Sequence, residues 1–449
     1  MNIDLSQVQS LVLRGYRVLE AHPYQHYAYL KLHSKAAAQA WLKSILPRVT
    51  RCTDFDKQEG PFVLAVAFSH HGLSQLGAPT GCDWPAPFTD GMAKRAEILG
   101  DTGQSAPSKW TDALGGSGVD VVVSIAGVDE VSIKDGIAEV EGTLGPEIER
   151  LGFDNAAHLA GKPAGTEHFG FVDGIGQPYV EGSGLSAWPG EGTPTKHGWT
   201  PIKAGEFVLG YAGETGSTAD AVHPFLKNGS YFALRKLSER VAAFREYVTQ
   251  TAKLNKLDAD LVAAKMVGRW QSGTPLVGHD RHDDQAVADD PDRNNDFRYK
   301  DDKKGHACPF GAHIRRANPR DDPTGPTIDQ VRRHRIIRRA LPYGTWLPEG
   351  TQDDKDRGVM FGVINADIAN QFEYVQRNWM NATISSRGLS VDADKDPLVG
   401  ANDGTGKHMI PHLERPGIAF DLPRFVDVRG GGYFFVPSLD SLALLAGAQ

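Results

Sequence analysis

The 449-residue chain carries 48 Lys and Arg against 56 Asp and Glu, a net charge of −8, which argues against a nucleic acid or an anionic membrane as partner. Apolar residues make up 40%, enough for a full-sized core; the length allows roughly two to four domains, and no run approaches the roughly 18 apolar residues of a membrane span. The three cysteines, few and odd in number, fit a reducing cytoplasm, and residues 1–5 (MNIDL) lack a basic region followed by an apolar one, so no secretory signal is visible and a cytoplasmic protein is expected.

In chain order, residues 26–33 (HYAYLKLH) alternate like a half-buried strand. Residues 35–46 place Ala38, Trp41, Leu42 and Ile45 at helical spacing, and Pro47 ends that helix. The continuous apolar run 61–68 (PFVLAVAF) predicts a buried central strand, and 119–125 (VDVVVSI) predicts another. The second half repeats the order. A strand at 229–237 leads into a helix at 239–254 with Val241, Phe244, Val248 and Leu254 on one face. Then come a strand at 359–364, a helix at 369–381 presenting Phe372, Val375 and Trp379, and a last strand at 432–437.

Two copies of β-α-β-α-β predict the α+β class: two ferredoxin-like domains, each an antiparallel β-sheet packed with α-helices, like a dimeric α+β barrel. The Gly/Ser/Thr stretch 213–218 marks the boundary, giving an N-terminal domain 1–215 and a C-terminal domain 216–449. Segments 182–198 and 279–304 read as irregular. The second is dense in charge and reads as a solvated loop; His279–Asp284 (HDRHDD) is a divalent-metal alternative whose spacing matches no defined site.

Three segments carry the candidate chemistry. In residues 308–320 (CPFGAHIRRANPR) one histidine, His313, lies among Arg315, Arg316 and Arg320. A histidine commonly holds haem iron, and arginine forks match propionates; the alternative is a soluble surface loop. No C-x-x-C-H is present, so any haem is held non-covalently. In residues 170–178 (GFVDGIGQP), Asp173 stands between glycines; the alternative is an ordinary glycine-rich turn. This is no dinucleotide loop, because Tyr179 replaces its last glycine, and Ala401 and His408 likewise break a phosphate loop at 401–408. Arg338 follows two isoleucines, an apolar frame in which an arginine tends to be placed because an unpaired buried charge is costly; the alternative is an amphipathic surface.

These segments resemble the dye-decolorizing peroxidase family. GFVDG at 170–174 matches its G-x-x-D-G signature, CPFGAHIRRANPR is similar to its proximal-histidine segment, and IIRRALPYG at 336–344 to its distal-arginine segment. KNGSY at 227–231, GRW at 268–270, NDF at 295–297, QFE at 371–373 and GGYFFVP at 431–437 follow in the family's order. Ala340 departs from relatives that carry asparagine two residues after the distal arginine.

The resemblance implies a haem b peroxidase, with the haem held by the C-terminal domain, that reduces hydrogen peroxide and oxidises bulky small-molecule donors such as dyes or phenolics. His313 is the implied axial ligand, with Arg315, Arg316 and Arg320 toward the propionates. Asp173 is the implied acid–base group and Arg338 the stabiliser of charge as the O–O bond breaks. Val359 and Phe361 would wall the distal pocket, Asp396 or else Asp403 would orient His313, and Tyr343 and Trp379 are candidate electron relays if not simply packing aromatics. A haem-handling protein without peroxidase activity is the alternative function, disfavoured because storage needs no Asp–Arg pair. Encapsulated cargo is disfavoured because residues 442–449 (LALLAGAQ) carry no docking tail. A homo-oligomer is compatible with the sequence.

Overall fold

The computed structural model describes residues 2–14, 22–57, 60–116, 118–216, 222–383, 394–412 and 417–447. Its first half runs β1 (Tyr24–Leu32), α1 (Lys35–Ile45), β2 (Phe62–Phe68), β3 (Val121–Gly127), α2 (Glu130–Thr143) and β4 (Ile148–Ala157). Ser34 caps α1 by accepting from the Ala37 amide at 3.4 Å, and Asp129 caps α2 through Ser132 at 2.7 Å. The second half repeats the pattern with β5 (Ser230–Glu239), α3 (Val241–Asn255), β6 (Ile337–Tyr343), β7 (Gly358–Asn365), and β8 (Val426–Val436). Between β5 and β6 lie α4 (Ala259–Val267) and the short α5 (His313–Ala317). The helix after β7 is π-helical, in two stretches, Ala369–Glu373 and Val375–Met380.

One antiparallel sheet joins the halves in the order β4-β1-β3-β2-β8-β5-β7-β6. Each half is thus the ferredoxin-like order 4-1-3-2, and the fold is two ferredoxin-like units. Between them the sheet narrows to one pair, Phe68 opposite Phe435. Strands β4 and β6, at the ends of the order, lie against each other, so the sheet curls toward a barrel.

Strand alternation sorts two cores. Ala28, Leu30, Val123, Ala233 and Phe435 face the helices, where they share one cluster with Trp41, Leu42 and Ile45 of α1 and Phe372 of the π-helix. Their neighbours Tyr29, Val122, Phe232 and Phe434 fill the concave side. The predicted elements lie within a few residues of those observed, except that the last strand begins at Val426, six residues before the predicted start. Helix α2 and the end strands β4 and β6 are absent from the sequence reading, so each half runs β-α-β-β-α-β rather than β-α-β-α-β. Of the predicted boundary 213–218, residues 217 and 218 lie outside the described residues.

Candidate functional site

Alternation in β6 sends Arg338 to the helix side of the sheet, while Arg339 turns inward and donates to the Leu11 and Val12 carbonyls at 2.9 Å each. On that helix side a cavity of about 1960 Å³, counting its open mouth, is bounded by β5, β6, β7, α5 and the π-helix. Val359 and Phe361 of β7 line it, opposite Pro342 and Ala340 of β6 in the sheet register. His313, Asp173 and Arg338 open on the same cavity.

His313 is the first residue of α5. Its Nδ1 lies 2.9 Å from Asp396 Oδ2, and its Nε2 has no hydrogen-bond partner among the described residues. Asp396 is 0% exposed and accepts from the Leu398 and Val399 amides at 2.9 Å each through its other oxygen. Burial works against its charge, but the His313 ring and Arg316 outweigh it and hold the carboxyl below its ordinary range. Burial likewise opposes the His313 cation, and Asp396 overcomes it and raises the ring. Asp403, the second candidate, accepts from Thr405.

Asp173 sits between Gly170 (φ +102°) and Gly174 (φ +90°), in left-handed backbone open to glycine. Its Oδ1 accepts from Arg338 Nη1 at 2.9 Å and from the Gly174 amide at 2.6 Å; its Oδ2 has no partner among the described residues. Burial pushes this carboxyl up, and Arg338, the Gly174 amide and His313 together more than reverse it, so it sits below its ordinary range. Gln177 braces the strand side of the pair: its Oε1 accepts from the Arg338 amide at 3.1 Å and its Nε2 donates to the Arg338 carbonyl at 3.3 Å. Gln177 stands four residues after Asp173 in the same GFVDGIGQP segment, but nothing local to a glutamine there signals this role.

The propionate role expected of Arg315 and Arg316 is corrected by their surroundings. Arg315 is 2% exposed and donates to Asp322 at 2.6 Å and Asp302 at 3.0 Å, a buried charge already neutralised. Arg316 is 1% exposed and donates to the Gly311, Trp379 and Ala382 carbonyls. Neither lines the cavity.

Arg269, Arg320 and Arg335 do line it, and none forms an ion pair among the described residues. Among the described residues Arg335 donates only to the Glu191 and Gly192 carbonyls, at 3.2 and 3.5 Å. Burial pushes Arg269 and Arg335 down to about 9 and Arg320 to about 10. Uncompensated buried cations are costly, so this cluster calls for an anionic group in the cavity. Arg269 and Arg335 were missed because nothing in GRW or in the run 332–339 says which guanidinium lacks a carboxylate.

Tyr343 is 8% exposed, donates to Asp356 at 3.1 Å and lies outside the cavity lining. Trp379, 7% exposed, is also outside it and packs against His334 and Tyr374, with ring centroids 5.5 and 5.8 Å away. Among the described residues no three His, Cys, Asp or Glu converge on a metal position; in the 279–284 cluster Asp284 instead caps a short helix. Nor, among those residues, is any helix long and apolar enough to cross a membrane.

Residues 8–157 match the family described as the DyP dimeric alpha+beta barrel domain, and residues 218–389 match that described as Dyp-type peroxidase, C-terminal. A dye-decolorizing peroxidase of Mycena epipterygia is 31% identical, the alignment covering 99% of this chain and 88% of that protein. A solved dye-decolorizing peroxidase in complex with 2,6-dimethoxyphenol superposes with a TM-score of 0.86 at 28% identity, over 99% of this chain and 100% of the other. Another, solved in work on asymmetric sulfoxidation by engineering the heme pocket of a dye-decolorizing peroxidase, gives 0.85 at 27% identity over 99% and 100%.

Proposed function

The chain belongs to the dye-decolorizing peroxidase family, whose members reduce hydrogen peroxide and oxidise bulky organic donors, and on that premise we propose that haem b, bound without a covalent link, fills the cavity described above. The observation that carries the reading is the joint placement of a carboxylate-backed histidine, an Asp–Arg pair and three unpaired arginines around one apolar cavity. The residues fit the group. His313 would hold the iron through its free Nε2, and Arg320 and Arg335 would meet the propionates in the place expected for Arg315 and Arg316. Phe169, Phe171, Phe361 and Leu398 offer apolar faces to a macrocycle.

Haem bound here would supply the site that takes peroxide and would pass on to it two electrons drawn from the organic donor, H2O2 + 2DH → 2H2O + 2D•, where DH is a phenolic donor. The chain supplies the proton handling. Asp173 Oδ2, unpartnered beside the cavity, takes a proton from one peroxide oxygen and returns it to the other as water leaves. Arg338 remains protonated and donates toward the oxygen on which charge builds. Asp396 keeps His313 in the tautomer that leaves Nε2 free and raises its basicity.

Tyr343 and Trp379, both off the cavity, are proposed relays for donors too bulky to enter. The division at residues 215 and 216 and a cytoplasmic site, supported by three free cysteines, belong to the same proposal. The test is reconstitution with haem: one equivalent should restore peroxide-dependent oxidation of 2,6-dimethoxyphenol, and His313→Ala should lose tightly held haem. Full occupancy with an unchanged absorption spectrum in that variant would overturn the assignment.

A further inference from the structure

Two carboxyl groups of the cavity have no part in this scheme. Glu167 lies six residues before Asp173, and Glu239 is the last residue of β5; both line the cavity. Glu167 accepts from the Phe169 and Phe171 amides at 2.8 Å each, one on each oxygen, so its carboxylate ties down the loop that ends at Asp173. The Gly170 amide donates to the Glu167 carbonyl at 2.9 Å and closes the same turn. Glu239 lies beside the His168 amide and the Glu167 carboxyl. Its Oε2 is shut off from solvent and has no hydrogen-bond partner among the described residues.

Two carboxyl groups in contact cannot both be ionised cheaply in a low-dielectric site. The donor pattern says where the proton goes. Glu167 already accepts on both oxygens, which favours its ionised form, whereas the orphaned Oε2 of Glu239 gains a partner only by carrying a hydrogen. We propose that Glu239 Oε2 holds one proton and donates it to Glu167, and that this shared proton keeps the Glu167–Asp173 loop in register, making the pair a positioning element for Asp173 that fails when the proton is lost.

The charges facing the pair agree with this. Asp173 repels a second negative charge on either residue, while His313 attracts negative charge at Glu167 and Arg245 lies near it. Arg338 is committed to Asp173 at 2.9 Å. Burial first, then the charge on Glu167, raises Glu239 well above a normal glutamate, while burial raises Glu167 to about 7 against the pull of the Phe169 and Phe171 amides. The shared proton is therefore present at neutral pH and lost on the alkaline side.

The proposal rests on Asp173 as the acid–base group, so its test has an arm that does not. Infrared difference spectra of the haem-loaded protein in H2O and D2O should show a protonated carboxyl band at pH 7 that titrates away at higher pH. Glu239→Gln should abolish that band, and Glu167→Gln should leave one. Glutamine at 239 mimics the protonated donor permanently, so the rate of reaction with peroxide should lose its alkaline fall in this variant. Glu167→Gln puts an amide against the Phe169 or Phe171 N–H and should slow the reaction by up to roughly 100-fold, the scale of a 1 Å misplacement. A wild-type protein without the neutral-pH band overturns the proposal whatever the variants do. A band that survives Glu239→Gln, or an alkaline fall unchanged in that variant, overturns it as well. Loss of peroxide reaction with the band intact would count against Asp173 instead.

Discussion

Replacing Asp173 with asparagine is close to isosteric. The amide oxygen can still accept from Gly174 and Arg338, so fold and haem binding should survive. What disappears is the proton acceptor at Oδ2, and positioned acid–base catalysis is worth roughly 100- to 10,000-fold, or about 3–5 kcal/mol of barrier. Arg338→Leu removes a single fixed donor, worth roughly 100- to 1,000-fold. The two losses should not multiply. Arg338 is also the foremost group opposing the burial that raises the Asp173 carboxyl, and without it that group shifts up. Part of the arginine's effect is thus already spent in Asp173→Asn, and the double variant should fall short of the product by a coupling of about 0.5–3 kcal/mol. The sign for pH follows. Asp173 works only when ionised, so the rate falls as pH drops through its titration; that acid limb should move to higher pH in Arg338→Leu and vanish in Asp173→Asn. Stopped-flow mixing with peroxide across pH reads all three quantities. Strictly multiplicative losses with an unmoved acid limb would refute the pairing as the source of the effect.

Asp396→Asn should weaken haem retention or activity by about 10- to 100-fold, measured by haem transfer to an acceptor protein, because the partner that orients His313 is gone. Arg335→Leu should raise the thermal stability of the haem-free protein while lowering haem affinity, since it removes an unpaired buried cation; calorimetry showing both forms destabilised would count against the propionate role. Replacing both Tyr343 and Trp379 with Phe should slow turnover of a bulky anthraquinone dye much more than the reaction with peroxide, and equal loss of both rates would indicate damaged packing. His168 and His408 are 0% exposed and burial pushes each down to about 4. Unfolding lets each take up a proton below its ordinary value near 6.5, so stability falls as pH drops from there toward 4, by about 2 kcal/mol per histidine at pH 5. Denaturant midpoints at pH 7 and pH 5 that coincide would contradict this.

The central strands were legible because both of their faces are buried, so residues 61–68 and 119–125 are apolar without a break. The end strands were not. The sequence IERLGFDNAA of β4 leaves Glu149, Arg150 and Phe153 exposed and slips register opposite Tyr29 and Leu30, so no clean alternation forms. In β6 two arginines and Pro342 mask the period, and a proline is tolerable there because the strand is last in the sheet order. At the site, His313, Asp173 and Arg338 stood out because each lies in a distinctive frame. Which arginines serve an anion was not readable. Position along the chain favoured Arg315, but it emerges about 200° around the helix from His313, toward Asp302 and Asp322. The pairing of Glu167 with Glu239 joins residues 72 positions apart, and nothing local to either one signals it.

The two halves of the sheet meet at one residue pair, Phe68 opposite Phe435, yet both cores run across that seam. Trp84 bridges it from outside, its ring 5.4 Å from Phe435 and 5.1 Å from Phe88. Backbone hydrogen bonding therefore contributes little cohesion there, and side-chain burial contributes most of it. Burial loses strength on cooling, whereas a hydrogen-bonded ladder has no such dependence at its root. The seam should consequently be the cold-sensitive line of the molecule. Amide exchange recorded near 0 °C should lose protection first along the facing edges of β2 and β8, while the strand pairs inside each half stay closed.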